Sequence, residues 1–255
     1  MITALTFNMQ NGEPWQGEDV WTAPPDIAGT IAFLREHPAD FVFLQEVEQG
    51  FDGGRRVEPP PHFTALQKAL PELSAVFSYP PENSDELPFG IGLALFSRWP
   101  ILGTRTETLP AADCAFPFEG RMRQPSERSL MVAEAETPGG VITLMNTHLQ
   151  AYFMIGSSSD SHRGQRDAVE AALRRCSGPT LLAGDFNCTP QESLLTQFEG
   201  VGFASVQTQE VTWRRRPYVT DHIFHNAPLR PVAWKVIPTP TSDHHAVAAT
   251  FNLLP

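Results

Sequence analysis

Thr180-Leu181-Leu182-Ala183-Gly184-Asp185-Phe186-Asn187 is a short apolar run that ends at an acid and an amide. Gly178-Pro179 before it and Thr189-Pro190 after it mark its limits. A run of that length between breakers suits a strand buried on both faces. Side chains alternate with a period of two, so Asp185 and Asn187, at the carboxyl end, point the same way. A carboxylate and an amide side by side at the rim of a sheet can hold a hard cation or a phosphoryl oxygen. An Asp-initiated turn leaving the strand accounts for the same residues without any chemistry. The rest of the chain has to decide between the two.

The pattern recurs. Residues 2–7 alternate as a strand and stop at Asn8-Met9-Gln10-Asn11-Gly12, and the run Asp40-Phe41-Val42-Phe43-Leu44-Gln45-Glu46 again terminates in an acid. Residues 129–136 and 141–146 flank Pro138-Gly139-Gly140 as a hairpin that leads into Asn146-Thr147-His148. A last strand over 245–251 is preceded by Ser242-Asp243-His244. Further strands are expected at 75–79, 91–97, 101–108, 203–207, 218–224 and 232–237. Pro24-Pro25-Asp26 opens a helix through Arg35 with Ile27, Ile31 and Leu34 on one face, and more helices are expected at 63–70 and 163–175. Residues 52–61 read as an irregular loop, and 109–127 as a long Pro-containing one of the kind that is functional or disordered. Hairpins mixed with two crossover-like helices give an α/β fold of two packed mixed sheets covered by helices. With no repeat or linker, one domain spanning 1–255 is expected.

The 255 residues are 41% hydrophobic, ample for a core. Eighteen Lys and Arg against 29 Asp and Glu give a net charge of −11, opposite in sign to a protein that grips long nucleic acid by neutralising phosphates. No run approaches the ~18 apolar residues of a membrane span, and the N-terminus lacks a basic region, so no stable membrane insertion and a cytoplasmic location are expected. Cys114, Cys176 and Cys188 lack the count and spacing of a disulfide or zinc framework and are read as reduced. Oligomeric state is left open.

Asn8, Glu46, His148, Asp185, Asn187, Asp243 and His244 all sit where an apolar strand gives out, and in open α/β sheets ligands bind at the carboxyl ends of strands. Each alone reads as a solvated strand end, a rim histidine or a turn former. Together, carboxylates gathered at one rim repel unless a cation or histidine compensates.

At this point the chain resembles the endonuclease/exonuclease/phosphatase superfamily, which includes deoxyribonuclease I, abasic-site endonucleases, neutral sphingomyelinases and inositol polyphosphate phosphatases. The resemblance covers essentially the whole chain. It is carried by Thr6-Phe7-Asn8, Leu44-Gln45-Glu46-Val47, Phe96-Ser97-Arg98-Trp99-Pro100-Ile101, Asn146-Thr147-His148-Leu149, Gly184-Asp185-Phe186-Asn187, Thr220-Asp221-His222-Ile223-Phe224 and Ser242-Asp243-His244-His245. It implies a four-layered α/β sandwich and a phosphoester hydrolase that depends on Mg²⁺, with Mn²⁺ as a substitute. It makes Glu46 the principal metal carboxylate, with Asn8 nearby and Asp243 as a further ligand. Asp185 would orient or deprotonate the attacking water, and Asn187 would fix a phosphate oxygen. His244, paired with Asp221, and His148 would stabilise transition-state charge. Gln10 departs from some relatives, which carry an acid there, and this leaves a second metal unsupported. The acidic total favours a small or lipid-derived phosphoester as substrate. The alternative is a DNA or RNA endonuclease or exonuclease, repair enzymes included. Phe116, Phe118, Tyr152, Phe153, Trp213 and the Arg214-Arg215-Arg216 run are candidates for a substrate pocket, against the plainer reading of core aromatics and solvated arginines.

Overall fold

The computed structural model describes residues 1–17, 23–51 and 56–254. In chain order the elements are β1 (Ile2–Asn8), α1 (Ile27–Glu36), β2 (Phe41–Gln49), α2 (Pro61–Ala69), β3 (Ser74–Ser78), β4 (Gly90–Ser97), β5 (Ile101–Leu109), β6 (Phe116–Phe118), β7 (Arg121–Arg123), β8 (Arg128–Thr137), β9 (Gly140–His148), α3 (Gly164–Arg174), β10 (Thr180–Asp185), α4 (Leu194–Glu199), β11 (Ala204–Ser205), β12 (Asp221–His225), β13 (Leu229–Ile237) and β14 (Ala246–Leu253). Two further 3₁₀ turns cover Gln10–Gly12 and Tyr152–Ile155.

One six-stranded sheet has the order β13-β14-β1-β2-β4-β3, and the other β11-β12-β10-β9-β8-β5. Each is mixed in the same way. β1 and β2 run parallel, as do β9 and β10, while their other neighbours are antiparallel. Such parallel pairs need a crossover, here supplied by α1 and α3. Because β14 and β12 run antiparallel to β1 and β10, their amino ends lie at the same rim as the carboxyl ends of the parallel pairs.

Alternation sorts the side chains into layers. From β10, Leu181 and Ala183 enter the core between the sheets, whereas Leu182 enters the core under α3 and α4. From β1, Ile2 and Ala4 face the other sheet, and Leu5 and Phe7 pack under α1 and α2. The result is the expected four-layered sandwich, helices on sheet on sheet on helices. Among the described residues no helix is long and apolar enough to cross a membrane.

Several expected boundaries shift for physical reasons. Helix α1 starts one residue after Asp26, whose side chain caps it by accepting from the Gly29 N–H. Helix α2 begins at Pro61 rather than at 63, because a proline at the first helical position loses no hydrogen bond. The stretch 109–127 contains the β6–β7 hairpin. Tyr218 belongs to an isolated bridge with Trp213, and β12 starts only at Asp221. The loop expected over 52–61 lies partly outside the described residues.

Gly184 lets β9 and β10 approach. A Cβ there would stand 2.0 Å from the Thr147 carbonyl oxygen, at φ +152. Gly184→Ala is expected to destabilise the fold by about 3 kcal/mol or more, since overpacking and backbone strain add. Denaturant unfolding within about 1 kcal/mol of the parent would contradict so close an approach.

Candidate active site

The alternation that fills the inter-sheet core continues to the rim and there changes chemistry. After Ile2 and Ala4 the same face of β1 ends at Asn8, and after Leu181 and Ala183 the same face of β10 ends at Asp185. The two meet across the sheets: Asn8 Nδ2 donates to Asp185 Oδ2 at 3.0 Å and to Glu46 Oε1 at 2.9 Å. Asn8 Oδ1 is turned away to accept from the Gln10 N–H at 3.0 Å. In this arrangement Asn8 aligns two carboxylates rather than offering its own oxygen between them. Beneath it lies a polar floor, in which Gln45 Nε2 donates to Asn146 Oδ1 at 2.7 Å and Asn146 Nδ2 donates to the Leu44 and Ala94 carbonyls at 2.9 Å. Buried amides of this kind need every partner, so the floor holds the sheets in one register.

Glu46 reaches the rim by breaking the alternation. Val42 and Leu44 face the helices, so a regular β2 would turn residue 46 outward as well. Instead the β2–β4 pairing shifts register between Gln45 and Glu48, and Glu46 adopts φ 51. A bulge of this kind re-aims one side chain. Gly90 on β4 makes the room, since a Cβ there would fall 2.4 Å from Glu46 Cβ and Oε2.

At the end of β10 the turn reading holds, and the turn leaves Asp185 and Asn187 both lining one cavity. Asp185 Oδ1 accepts from the Asn187 N–H at 2.9 Å, an Asp-initiated turn. Asn187 sits at φ 47, off the strand, so the turn rather than the period of two aims its side chain. Its amide nitrogen lies 2.9 Å from His148 Nε2 and donates to the Leu149 carbonyl at 3.0 Å.

The amino ends of β12 and β14 bring the remaining groups. His244 Nδ1 lies 2.8 Å from Asp221 Oδ2. His244 Nε2 and His148 Nε2 each lie 3.7 Å from Asp185 Oδ2. The Ser242 hydroxyl donates to the Asn8 carbonyl and accepts from the His244 N–H, which fastens this segment to β1. Asp243 Oδ2 accepts from Arg215 Nε at 2.6 Å and from Trp213 Nε1 at 3.1 Å, while Oδ1 lies 3.9 Å from His244 Nε2. Gln10, the departure noted in the sequence, accepts the Asp243 N–H through Oε1 at 2.9 Å.

Burial penalises every charge here. It pushes Glu46 up to about 7, with Asp243 adding to the rise against Asn8, His244 and Arg128. Burial and then the Asp221 charge push Asp185 up. His148 is held well below its ordinary value by burial and by the Arg128 and His244 charges, and is neutral. His244 goes the other way: burial alone would lower it, but Asp221, Asp185 and Asp243 together raise it to about 10.

Among the described residues, two clusters have ligand atoms within 4.8 Å of one another: Glu46, His148 and Asp185, and Asp185, Asp221 and His244. In the second, the His244 imidazolium already supplies the positive charge. The first has two carboxylates and a neutral imidazole, a donor set that suits a hard divalent cation.

Glu46, His148, Asp185, Asn187, Asp243 and His244 line a cavity of about 490 Å³, with Asp221 behind His244. Phe116, Phe118, Phe153 and Trp213 line it as expected; Tyr152 does not, being buried and stacked on His162. The arginine run lies outside it. Arg215 is taken by Asp243, and Arg214 bonds the Thr239 carbonyl and lies over the Trp15 ring. Arg128, at the start of β8, is the lysine or arginine that sequence reasoning missed. It is the one such residue among the described residues lining the cavity, against Glu13, Glu46, Asp85, Glu86, Asp185 and Asp243. Only the ambiguous Glu127-Arg128 at a loop end marked it in the sequence.

Comparison with known proteins gives a consistent result. The sequence model of the endonuclease/exonuclease/phosphatase family matches residues 5–244. A UPF0294 protein of Vibrio campbellii (strain ATCC BAA-1116) is 26% identical over 151 residues, 56% of this chain and 51% of that protein, so the match spans about half that relative's length. Among solved structures, an endonuclease/exonuclease/phosphatase from Bacteroides vulgatus is similar with TM-score 0.70 and 18% identity, covering 99% of this chain and 98% of that one. D. rerio TDP2 complexed with single strand DNA product is similar with TM-score 0.68 and 19% identity, covering 98% of each chain.

Proposed function

Since the chain belongs to the endonuclease/exonuclease/phosphatase family, a family of phosphoester hydrolases, we propose that it is a divalent-metal-dependent hydrolase of a small or lipid-derived phosphoester. The observation that carries this reading is the gathering of Glu46, Asp243, Asp185, His148 and His244 along one open cavity whose remaining wall is largely apolar. Glu46, aligned by Asn8 and with Asp243 as a further ligand, would hold Mg²⁺ or Mn²⁺. The cation would supply positive charge to the phosphate oxygens. Asp185, whose raised pKa suits it to take a proton, accepts one from the attacking water. Asn187 fixes a phosphate oxygen through its amide, with the neutral His148 beside it. The His244 imidazolium, oriented by Asp221, offsets the negative charge that grows in the transition state. Three free thiols accord with a cytoplasmic location.

A second reading, a DNA or RNA nuclease, is favoured by the similarity to TDP2, solved with a single-strand DNA product. Arg128 as the one lysine or arginine among the described residues lining the cavity weighs against it, because a nucleic acid tracks a series of cations. A side-by-side screen tests both, using bis(p-nitrophenyl) phosphate, phosphoinositides, sphingomyelin and single-stranded DNA and RNA. Activity is expected on the compact or lipid phosphoesters, abolished by EDTA and restored by Mg²⁺ or Mn²⁺. Full activity after metal removal would defeat the metal assignment. Preference for the polynucleotides, with binding that weakens steeply in salt, would favour the second reading.

A further inference from the structure

We propose that the organic group of the substrate carries an apolar arm, held by the Phe89–Phe118 wall, while Arg128 holds the phosphate. This rests on the phosphoester reading above and goes beyond it in naming which phosphoesters the site prefers.

The cavity is much larger than a phosphate, and its wall away from Glu46, Asp185 and the histidines is largely apolar. Phe118 of the β6–β7 hairpin meets Phe89 edge-on, with ring centroids 5.8 Å apart, and Phe116 is buried beside them. Across the cavity, Phe153 packs on Trp213 at 5.3 Å. Phe89 is 46% exposed and Met154, also lining the cavity, is 49% exposed. Large side chains left this open along a cavity have surface to bury against a ligand. The hairpin is anchored: Arg123 of β7 donates to the Ser84 carbonyl at 3.4 Å and pairs with Asp85 at 3.8 Å. A tied hairpin presents a preformed wall.

The charge pattern selects in the same direction. Arg128 Nη2 donates to Gln150 Oε1 at 3.1 Å, and the side chain lines the cavity as the one lysine or arginine there among the described residues. An anionic oxygen arriving in the cavity has this guanidinium as its charge partner. Among the described residues, the arginines beside Asp85 and Glu86 are engaged, Arg56 with Glu86 and Arg123 with Asp85. A second phosphate would therefore meet acids, whereas an apolar arm would meet phenyl rings.

Dialkylphosphinates test this directly, because each has one negative charge and no ester bond to cleave. With Mg²⁺ present, hexyl(methyl)phosphinate should bind at least ~30-fold tighter than dimethylphosphinate by calorimetry, since each buried methylene contributes roughly fourfold. Phe118→Ala and Phe89→Ala, both lining the cavity, should each cut that ratio at least ~3-fold. Arg128→Met should weaken both phosphinates alike, by about tenfold or more, and leave the ratio in place. Equal binding of the two phosphinates would overturn the inference, as would tighter binding of an eight-residue oligothymidylate than of the hexyl compound. These outcomes are read by binding, so a protein that distinguishes the phosphinates but hydrolyses no phosphoester would retain the inference and lose the hydrolase reading.

Discussion

Asp185→Asn should lower turnover by at least ~10³-fold and stay nearly inactive however much Mg²⁺ is supplied, because in the proposed assignment it removes a proton acceptor and not chiefly a ligand. Glu46→Gln should regain part of its activity as Mg²⁺ rises, since a weakened metal site responds to mass action. Metal titrations followed by activity and calorimetry separate the two. Rescue of Asp185→Asn but not of Glu46→Gln would reverse the roles. The same substitution carries a stability consequence of opposite sign. A carboxyl whose folded pKa is raised opposes folding at pH values above its unfolded pKa. Metal-free Asp185→Asn should therefore unfold at a higher temperature than the parent at pH 7, as expected where function has been placed ahead of stability.

His244→Ala should lower turnover by at least ~10²-fold with the fold retained, the usual effect of losing one transition-state stabiliser. Its imidazolium persists up to about 10. Its contribution to turnover should thus hold through neutral pH and fall as pH rises through that value. Its contribution to stability follows the same sign, fully present below the unfolded value of about 6.5 and lost toward the folded one. Asp221→Asn removes the charge that does most to raise it, so the alkaline limb of the pH–rate profile should move to lower pH with a smaller loss of turnover. Normal rates in both variants would remove the electrostatic role.

Strand alternation made most of this legible. It located β1, β2, β9, β10 and β14, and by the same rule it delivered Asn8 and Asp185 to one rim. Glu46 obeyed a different rule. Leu44-Gln45-Glu46-Val47 contains no glycine or proline to announce a bulge, and the residue that permits it, Gly90, lies on another strand. The β6–β7 hairpin was hidden because Phe116-Pro117-Phe118 is three residues long and contains a proline, which reads as loop. Helix α4, six residues over Leu194–Glu199, is too short for a period of 3.6 to emerge. The Arg214-Arg215-Arg216 run looked like an anion site because sequence cannot show that Asp243 already holds Arg215.

The second sheet, β5 and β8 to β12, is drawn entirely from residues between those of the first, whose order places the late strand β14 beside the early strand β1. During synthesis, then, β1 has an open edge on that side until everything in the second sheet has left the ribosome. A nascent chain stalled before β13 would have Glu46, His148 and Asp185 in hand but neither Asp243 nor His244. It would expose the β1 backbone as a template for another strand. On the proposed assignment the site is thus completed only when the closing strand arrives, and a chaperone that binds unpaired edges has its window on β1 until then.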